Sequence, residues 1–237
     1  VEKANNMPEN FVQGNVAYNQ TLAPEAWIDS GLRREVRYKL LKAAQMFIDT
    51  LDINNFKLYD IVLTGSMANY NYTRYSDFDV HVVTKYSELD CDDLAEAFYS
   101  AKKKIWNDDH DIIVRGHEVE LYVEDLDQPP VAAGIYSLLD NVWIKQPSYD
   151  LPTIADLDVN AKVLDLIKQI QATIEGANEA NDIRRLLYKL RNMRQSGLER
   201  HGEYGVENLS YKILRNLGYL DKLSKAIKDQ QDLALSL

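Results

Sequence analysis

No strand-like period survives past the linker between Pro147 and Pro152, although strand and helix periods both occur before it. Before that point short runs are wholly apolar or alternate apolar with polar residues, as in "LYDIVLTGS", "DFDVHVV" and "DIIVRGHEVELYVED", the period-two signature of strands. Beyond it apolar residues recur only at helical spacing, in four segments at 155–175, 179–197, 206–216 and 219–235. Gly176, the group Gly197, Gly202 and Gly205, and Gly218 separate those segments, as expected of helix ends. Strands segregated from helices predict an α+β fold. The expectation is a mixed-sheet domain over residues 1–150 and a helical domain over 151–237.

Within the first domain, residues 1–25 are rich in Asn, Gln and Pro and read as an irregular arm. From Leu32 to Leu51 the set Val36, Leu40, Leu41, Ala44, Met46, Phe47 and Leu51 has helical spacing. Ser87 to Trp106 reads as a second helix, with Ser87 or Asp90 as N-cap and a lysine run near its end that suits the helix dipole. Hairpins are expected at Gly116-His117 and at Asp140-Asn141.

At 237 residues, with 46% hydrophobic and 27% charged residues, the chain has the make-up of a globular protein with a real core. No apolar run approaches the roughly 20 residues that cross a bilayer, and no charged-then-apolar leader opens the chain, so no membrane partner is expected. Cys91 is the single cysteine, which excludes an internal disulfide or a cysteine-rich zinc site and suits a reducing compartment such as the cytoplasm. The net charge of −10 argues against a general nucleic-acid binder. It is uneven, however: residues 184–228 hold 11 basic and 4 acidic residues, a net +7. That asymmetry suits metal on one side and polyanion on the other, and equally a solvated helical surface.

The chemistry concentrates in "LTGSMANYNYTRYSDFDVHVV", residues 63–83. Asp77 and Asp79 share one face of a strand, about 6–7 Å apart along the chain, while Phe78 and Val80 face the other way. Two such carboxylates repel each other unless a cation neutralises both. Hard cations such as Mg²⁺ take carboxylate oxygens together with substrate phosphates. A neighbouring strand, "HEVELYV", supplies a third acid. Glu120 is preferred because apolar strand residues flank it on both sides; Glu118 shares its face and stays an alternative. Gly65-Ser66 at a strand end lets backbone approach a phosphate, with N–H groups of the following short turn and the Ser66 hydroxyl as donors. Arg74 in the intervening loop is a candidate counter-charge for phosphate, although turn chemistry alone explains the Asn, Thr and Ser around it. His81 lies on the face of the two aspartates and is expected to hydrogen-bond behind them. His110, His117 and His201 have no partners at metal-ligand spacing.

Gly-Ser, ten residues, then Asp-Phe-Asp, with a later strand acid, resembles the DNA polymerase β-like nucleotidyltransferase superfamily, whose pattern is G-[GS], nine to thirteen residues, D-x-[DE]. The match covers roughly residues 58–123, and the helices beyond suit that superfamily's C-terminal helical domain. The whole chain also resembles compact nucleotidyltransferases found among phage proteins, which would place it in a host cytoplasm. The resemblance implies that Asp77, Asp79 and Glu120 bind two Mg²⁺ ions, with Mn²⁺ as a substitute, and that Gly65 and Ser66 contact the triphosphate of an NTP such as ATP. It implies attack of an acceptor hydroxyl on the α-phosphate with release of pyrophosphate, Glu120 helping to deprotonate the acceptor. Helical-domain residues commonly hold triphosphate and base in the superfamily, which makes Tyr188, Lys189, Tyr211 and Lys212 candidates beside the plain reading of a solvated face over a leucine core. The active site is then expected in the cleft between the two domains.

The acidic balance favours a small molecule, a nucleotide or a protein hydroxyl as acceptor. RNA 3′-end addition is the alternative within the enzyme class, and a nucleotide-binding or antitoxin-like regulator without turnover is the alternative outside it.

Overall fold

The computed structural model describes residues 10–236 apart from 30, 54–55, 89–91, 130–131, 150–151 and 178. Asp90, a candidate N-cap, and Cys91 lie outside the described residues. The chain divides into two compact units, Ala17–Asp150 and a second that joins Val1–Val16 to Leu151–Leu237. The architecture is α+β, with a mixed sheet in the first unit and helices in the second.

In the first unit the small hairpin β1 (Trp27–Ile28) and β2 (Gly31–Leu32) precedes helix α1 (Arg34–Leu51). Then come β3 (Asp60–Thr64), β4 (Phe78–Thr84), α2 (Asp92–Asp109), β5 (Ile113–Val114), β6 (His117–Asp125), β7 (Ile135–Ser137) and β8 (Val142–Lys145). The larger sheet has the order β5-β6-β4-β3-β7-β8. β4 and β6 run parallel, and the other neighbours are antiparallel. A parallel pair needs a long crossover, and α2 provides it.

Alternation explains the core. On β4, Phe78, Val80 and Val82 are fully buried, while Asp79 and His81 between them are half-buried. α1 lays Val36, Leu40, Ala43, Ala44, Phe47 and Leu51 against the core. Met46, expected in that stripe, is 49% exposed: at 100° per residue it falls about 60° beyond Ala43, which forms that edge of the stripe, while Leu40 and Phe47 lie at its centre. α2 contributes Ala95, Tyr99 and Trp106, and it begins after a 3₁₀ turn at Tyr86–Glu88 that contains Ser87. The turn at Asp140-Asn141 falls between β7 and β8 as expected, whereas the other turn is Arg115-Gly116, one residue earlier than expected: both have positive φ, 52° and 87°, as a two-residue turn of this hand requires, and His117 already pairs with Val114.

The hairpin β1–β2 went unread in the sequence. Trp27 stacks on Trp143, ring centroids 4.7 Å apart, and its indole N–H donates to the Met67 carbonyl at 2.7 Å. It thereby pins the turn that follows Gly65.

The helical unit contains α3 (Asp156–Gly176), α4 (Ala180–His201), α5 (Val206–Asn216) and α6 (Tyr219–Leu235). α4 runs through Gly197 rather than stopping there. A Cβ on Gly197 would lie 2.5 Å from the Glu207 Cβ, so this glycine allows α4 and α5 to approach closely; the helix ends only at Gly202, φ 70°. Residues 10–16, expected with the first domain, pack here instead. Phe11 and Val12 are buried in the helical core, and the Phe11 N–H donates to Asn160 Oδ1 at 2.7 Å. Among the described residues no helix is long and apolar enough to cross a membrane.

Candidate metal centre

Three carboxylates converge at the β4–β6 seam. Asp77 immediately precedes β4, and Asp79 is its second residue. The parallel register sets Glu120 directly beside Asp79, and neighbours in register share a face of the sheet. Asp77, Asp79 and Glu120 each offer an oxygen, and these oxygens all lie within 4.8 Å of one another. All three residues are half-buried. Glu118 sits outside the group: it is exposed and pairs with Ile113 of the short edge strand β5.

Such an all-oxygen, triply acidic set fits a hard divalent cation, because close carboxylates in a partly desolvated place are costly without a counter-charge. The protein supplies one cation nearby. Lys103 of α2 is electrostatically coupled to Glu120 and Asp79; burial lowers its pKa, and the two acids oppose that shift. Its Nζ lies 3.8 Å from the centroid of the Tyr122 ring, within cation–π range. The Tyr122 hydroxyl donates to Glu120 Oε2, and burial, reinforced by Asp79 and Glu120, pushes the phenol far above its usual range, so it stays a proton donor. His81 stacks on the same ring, centroids 4.7 Å apart and planes 13° apart, with Nδ1 2.9 Å from Glu124 Oε2. His81 thus lies on the face of the acids, as alternation predicted, and its hydrogen bond runs to Glu124.

Gly65 closes the other side of the seam. Its φ of 72° and ψ of −161° belong to a region that side chains essentially forbid, and a Cβ there would lie 1.8 Å from Asp79 Oδ2. The space that glycine leaves holds the Asp79 carboxylate. Ser66 opens a 3₁₀ turn, Ser66–Ala68, and its hydroxyl bonds the Ser76 hydroxyl at 2.8 Å. Ser76 Oγ also accepts the Thr73 N–H. The Ser76 carbonyl accepts from His117 Nδ1 at 2.6 Å, while Nε2 of that ring lies 3.1 Å from Glu25 Oε1. His117, assigned no role from sequence, therefore tethers the residue next to Asp77 to the start of the unit. Arg74 is exposed and stacks on its neighbour Tyr75.

The remaining candidates lie in the helical unit. Tyr188 and Lys189 are exposed on α4. Tyr211 is buried in the helical core with the Arg194 guanidinium 5.1 Å from its ring centroid, and Lys212 pairs with Glu203 at 3.1 Å. Packing and ion pairing account for both of these.

Sequence reasoning missed Lys103 and Tyr122 as parts of the site. Tyr122 carried a readable signal, two positions beyond Glu120 on one strand and so on its face. Lys103 carried none beyond the lysine run of α2. In the same unit a cavity of about 500 Å³ lies against α1 and β5, lined among others by Val36, Lys42, Met46 and Ile112, and it holds none of the three acids.

No protein-family model matches the chain, and no curated protein matches it. Among solved structures it is similar to a STING-associated CdnE c-di-GMP synthase from Capnocytophaga granulosa, at 14% identity over 86% of this chain and 84% of that one, with a TM-score of 0.20. A likeness so low bears no weight on function, which rests on the geometry of the three carboxylates.

Proposed function

We propose that the protein is a divalent-metal-dependent nucleotidyltransferase, and the observation that carries this is the convergence of Asp77, Asp79 and Glu120 beside the Gly65-Ser66 turn. These three carboxylates would hold Mg²⁺ or Mn²⁺, two ions by resemblance to the polymerase β-like pattern. Such cations offset the charge of the acids and act as Lewis acids on phosphate oxygens. The Gly65-Ser66 backbone supplies N–H donors for the triphosphate of an NTP, with Arg74 at the loop as a further cation. The acceptor oxygen attacks the α-phosphorus, the bond to the β-phosphate oxygen breaks and pyrophosphate leaves. The acceptor's proton passes to Glu120. The acidic balance of the first unit favours a small molecule, a nucleotide or a protein hydroxyl as acceptor, in the cytoplasm and, by resemblance, in a phage context.

One observation favours RNA 3′-end addition as the second reading. Residues 184–194 of α4 contain five cations and no acid. Arg184, Arg185, Lys189 and Arg191 are exposed there around an exposed Tyr188, a combination suited to phosphates and a stacked base.

The test is pyrophosphate release from each of the four NTPs with Mg²⁺ or Mn²⁺. Wild type is compared with Asp77→Asn/Asp79→Asn, Glu120→Gln and Glu118→Gln, with and without an RNA oligonucleotide. Release that disappears in the double variant and in Glu120→Gln but survives Glu118→Gln is expected. Stimulation by RNA that fades with salt would move the acceptor to RNA. Metal-dependent NTP binding with no release under any condition would instead describe a regulator and overturn the enzyme reading.

A further inference from the structure

Glu120 differs from its two partners in length. An extended glutamate loses about 1.5–2 kcal/mol of side-chain entropy when fixed, more than an aspartate on the same sheet, so a glutamate in such a group needs something that holds it. Tyr122 meets that need. It stands two residues along β6 and hence on the same face, and its hydroxyl donates to Glu120 Oε2.

The tyrosine is itself held by two further elements. His81 of β4 is its register partner and stacks on its ring at 4.7 Å. Lys103 Nζ from α2 stands 3.8 Å from the ring centroid. His81 is steadied in turn by Glu124 at 2.9 Å. The ring is held by neighbours from β4 and α2, with its hydroxyl donating to one carboxylate oxygen of Glu120.

We propose that Tyr122 is the positioning residue of the third carboxylate, holding Glu120 in the conformation that completes the cation site with Asp77 and Asp79. This rests on reading the three acids as a metal site. Hydrogen-bond partners behind metal-ligating groups orient them, and their loss commonly costs about 10- to 100-fold in metal affinity.

The experiment titrates Mn²⁺ into the full-length chain by electron paramagnetic resonance, without nucleotide. It compares wild type, Tyr122→Phe, Glu120→Gln and the Tyr122→Phe/Glu120→Gln double variant. Tyr122→Phe keeps the ring and both its stacking partners and removes one oxygen. It is expected to weaken Mn²⁺ about tenfold while leaving the melting temperature nearly unchanged. In the Glu120→Gln background the same change is expected to do nothing further, because the group it orients is no longer a carboxylate. Equal Mn²⁺ affinity in wild type and Tyr122→Phe, or an equal loss in both backgrounds, overturns the positioning role and leaves the metal site standing. Absence of Mn²⁺ binding by wild type removes the metal reading itself, a different result. Should Tyr122→Phe not fold, His81→Ala replaces it. Freeing one ring face is expected to weaken Mn²⁺ about threefold, a part of the full outer-partner loss, and an unchanged affinity overturns the proposal.

Discussion

Gly65→Ala strikes the backbone and the metal centre with one methyl group. At φ 72° and ψ −161° a residue with a Cβ costs about 1–3 kcal/mol. The new Cβ also meets Asp79 Oδ2 at 1.8 Å and Cγ at 2.8 Å, so the carboxylate must leave its rotamer, for about 0.5–1.5 kcal/mol more. Reduced freedom of the unfolded chain offsets about 0.5–1 kcal/mol. At the middle of these ranges the net loss is about 2 kcal/mol, which for a chain of this size lowers the melting temperature by about 4–8 °C. Mn²⁺ binding should weaken together with stability, because the group displaced is one of the three acids. The assay is thermal unfolding followed by circular dichroism, in wild-type and Asp79→Ala backgrounds, with Mn²⁺ titration alongside. Asp79→Ala removes the carboxylate and leaves its Cβ at 3.2 Å. In that background Gly65→Ala should therefore cost about 1 kcal/mol less, the share due to the rotamer. An unchanged melting temperature, or equal losses in the two backgrounds, would refute the claim that Gly65 exists to leave room for Asp79.

Charges in the first unit give two more expected outcomes. Lys103→Met leaves an unbranched, polarisable side chain to pack on the Tyr122 ring and removes the ammonium that interacts with Glu120 and Asp79; with the ring still packed, it should tighten Mn²⁺ by about 1 kcal/mol, or roughly fivefold, as a nearby like charge is lost, and weaker binding would show that the ammonium supports the site rather than competing with the cation. Asp60 has its carboxyl raised by burial, although the Ser137 hydroxyl and the Ile61 N–H both donate to its Oδ1. A carboxyl raised in the folded state contributes stability that is present below its ordinary value and lost as pH rises through the raised one. Asp60→Asn keeps an Oδ1 acceptor, so it should melt higher than wild type at pH 7 and equal to it near pH 3; a pH-independent difference would contradict the burial effect.

Much of this protein is local, and local features were readable. Helical spacing located α3 to α6 because each buries one stripe of its own sequence. Alternation sent Phe78 and Val80 inward and Asp79 outward because the pleat fixes side-chain direction within one strand. Asp77 and Asp79 needed nothing beyond that strand to be recognised as partners. Which distant residues would join them was not local. The choice of Glu120 over Glu118 depends on the register of β4 with β6 across some forty residues, and turn geometry cannot set a parallel register as it sets a hairpin. Lys103 reaches the site only because α2 packs on β6, and His117 reaches Ser76 and Glu25 only through the folded sheet. The glycine at 65 was read as leaving backbone open to a phosphate. What it makes room for, the carboxylate of Asp79, was decided by the pairing of Thr64 with Asp79. Periodicity in a sequence specifies which face a residue takes; which residues meet on that face depends on strand register and helix docking, and these are settled by the packing of the whole core.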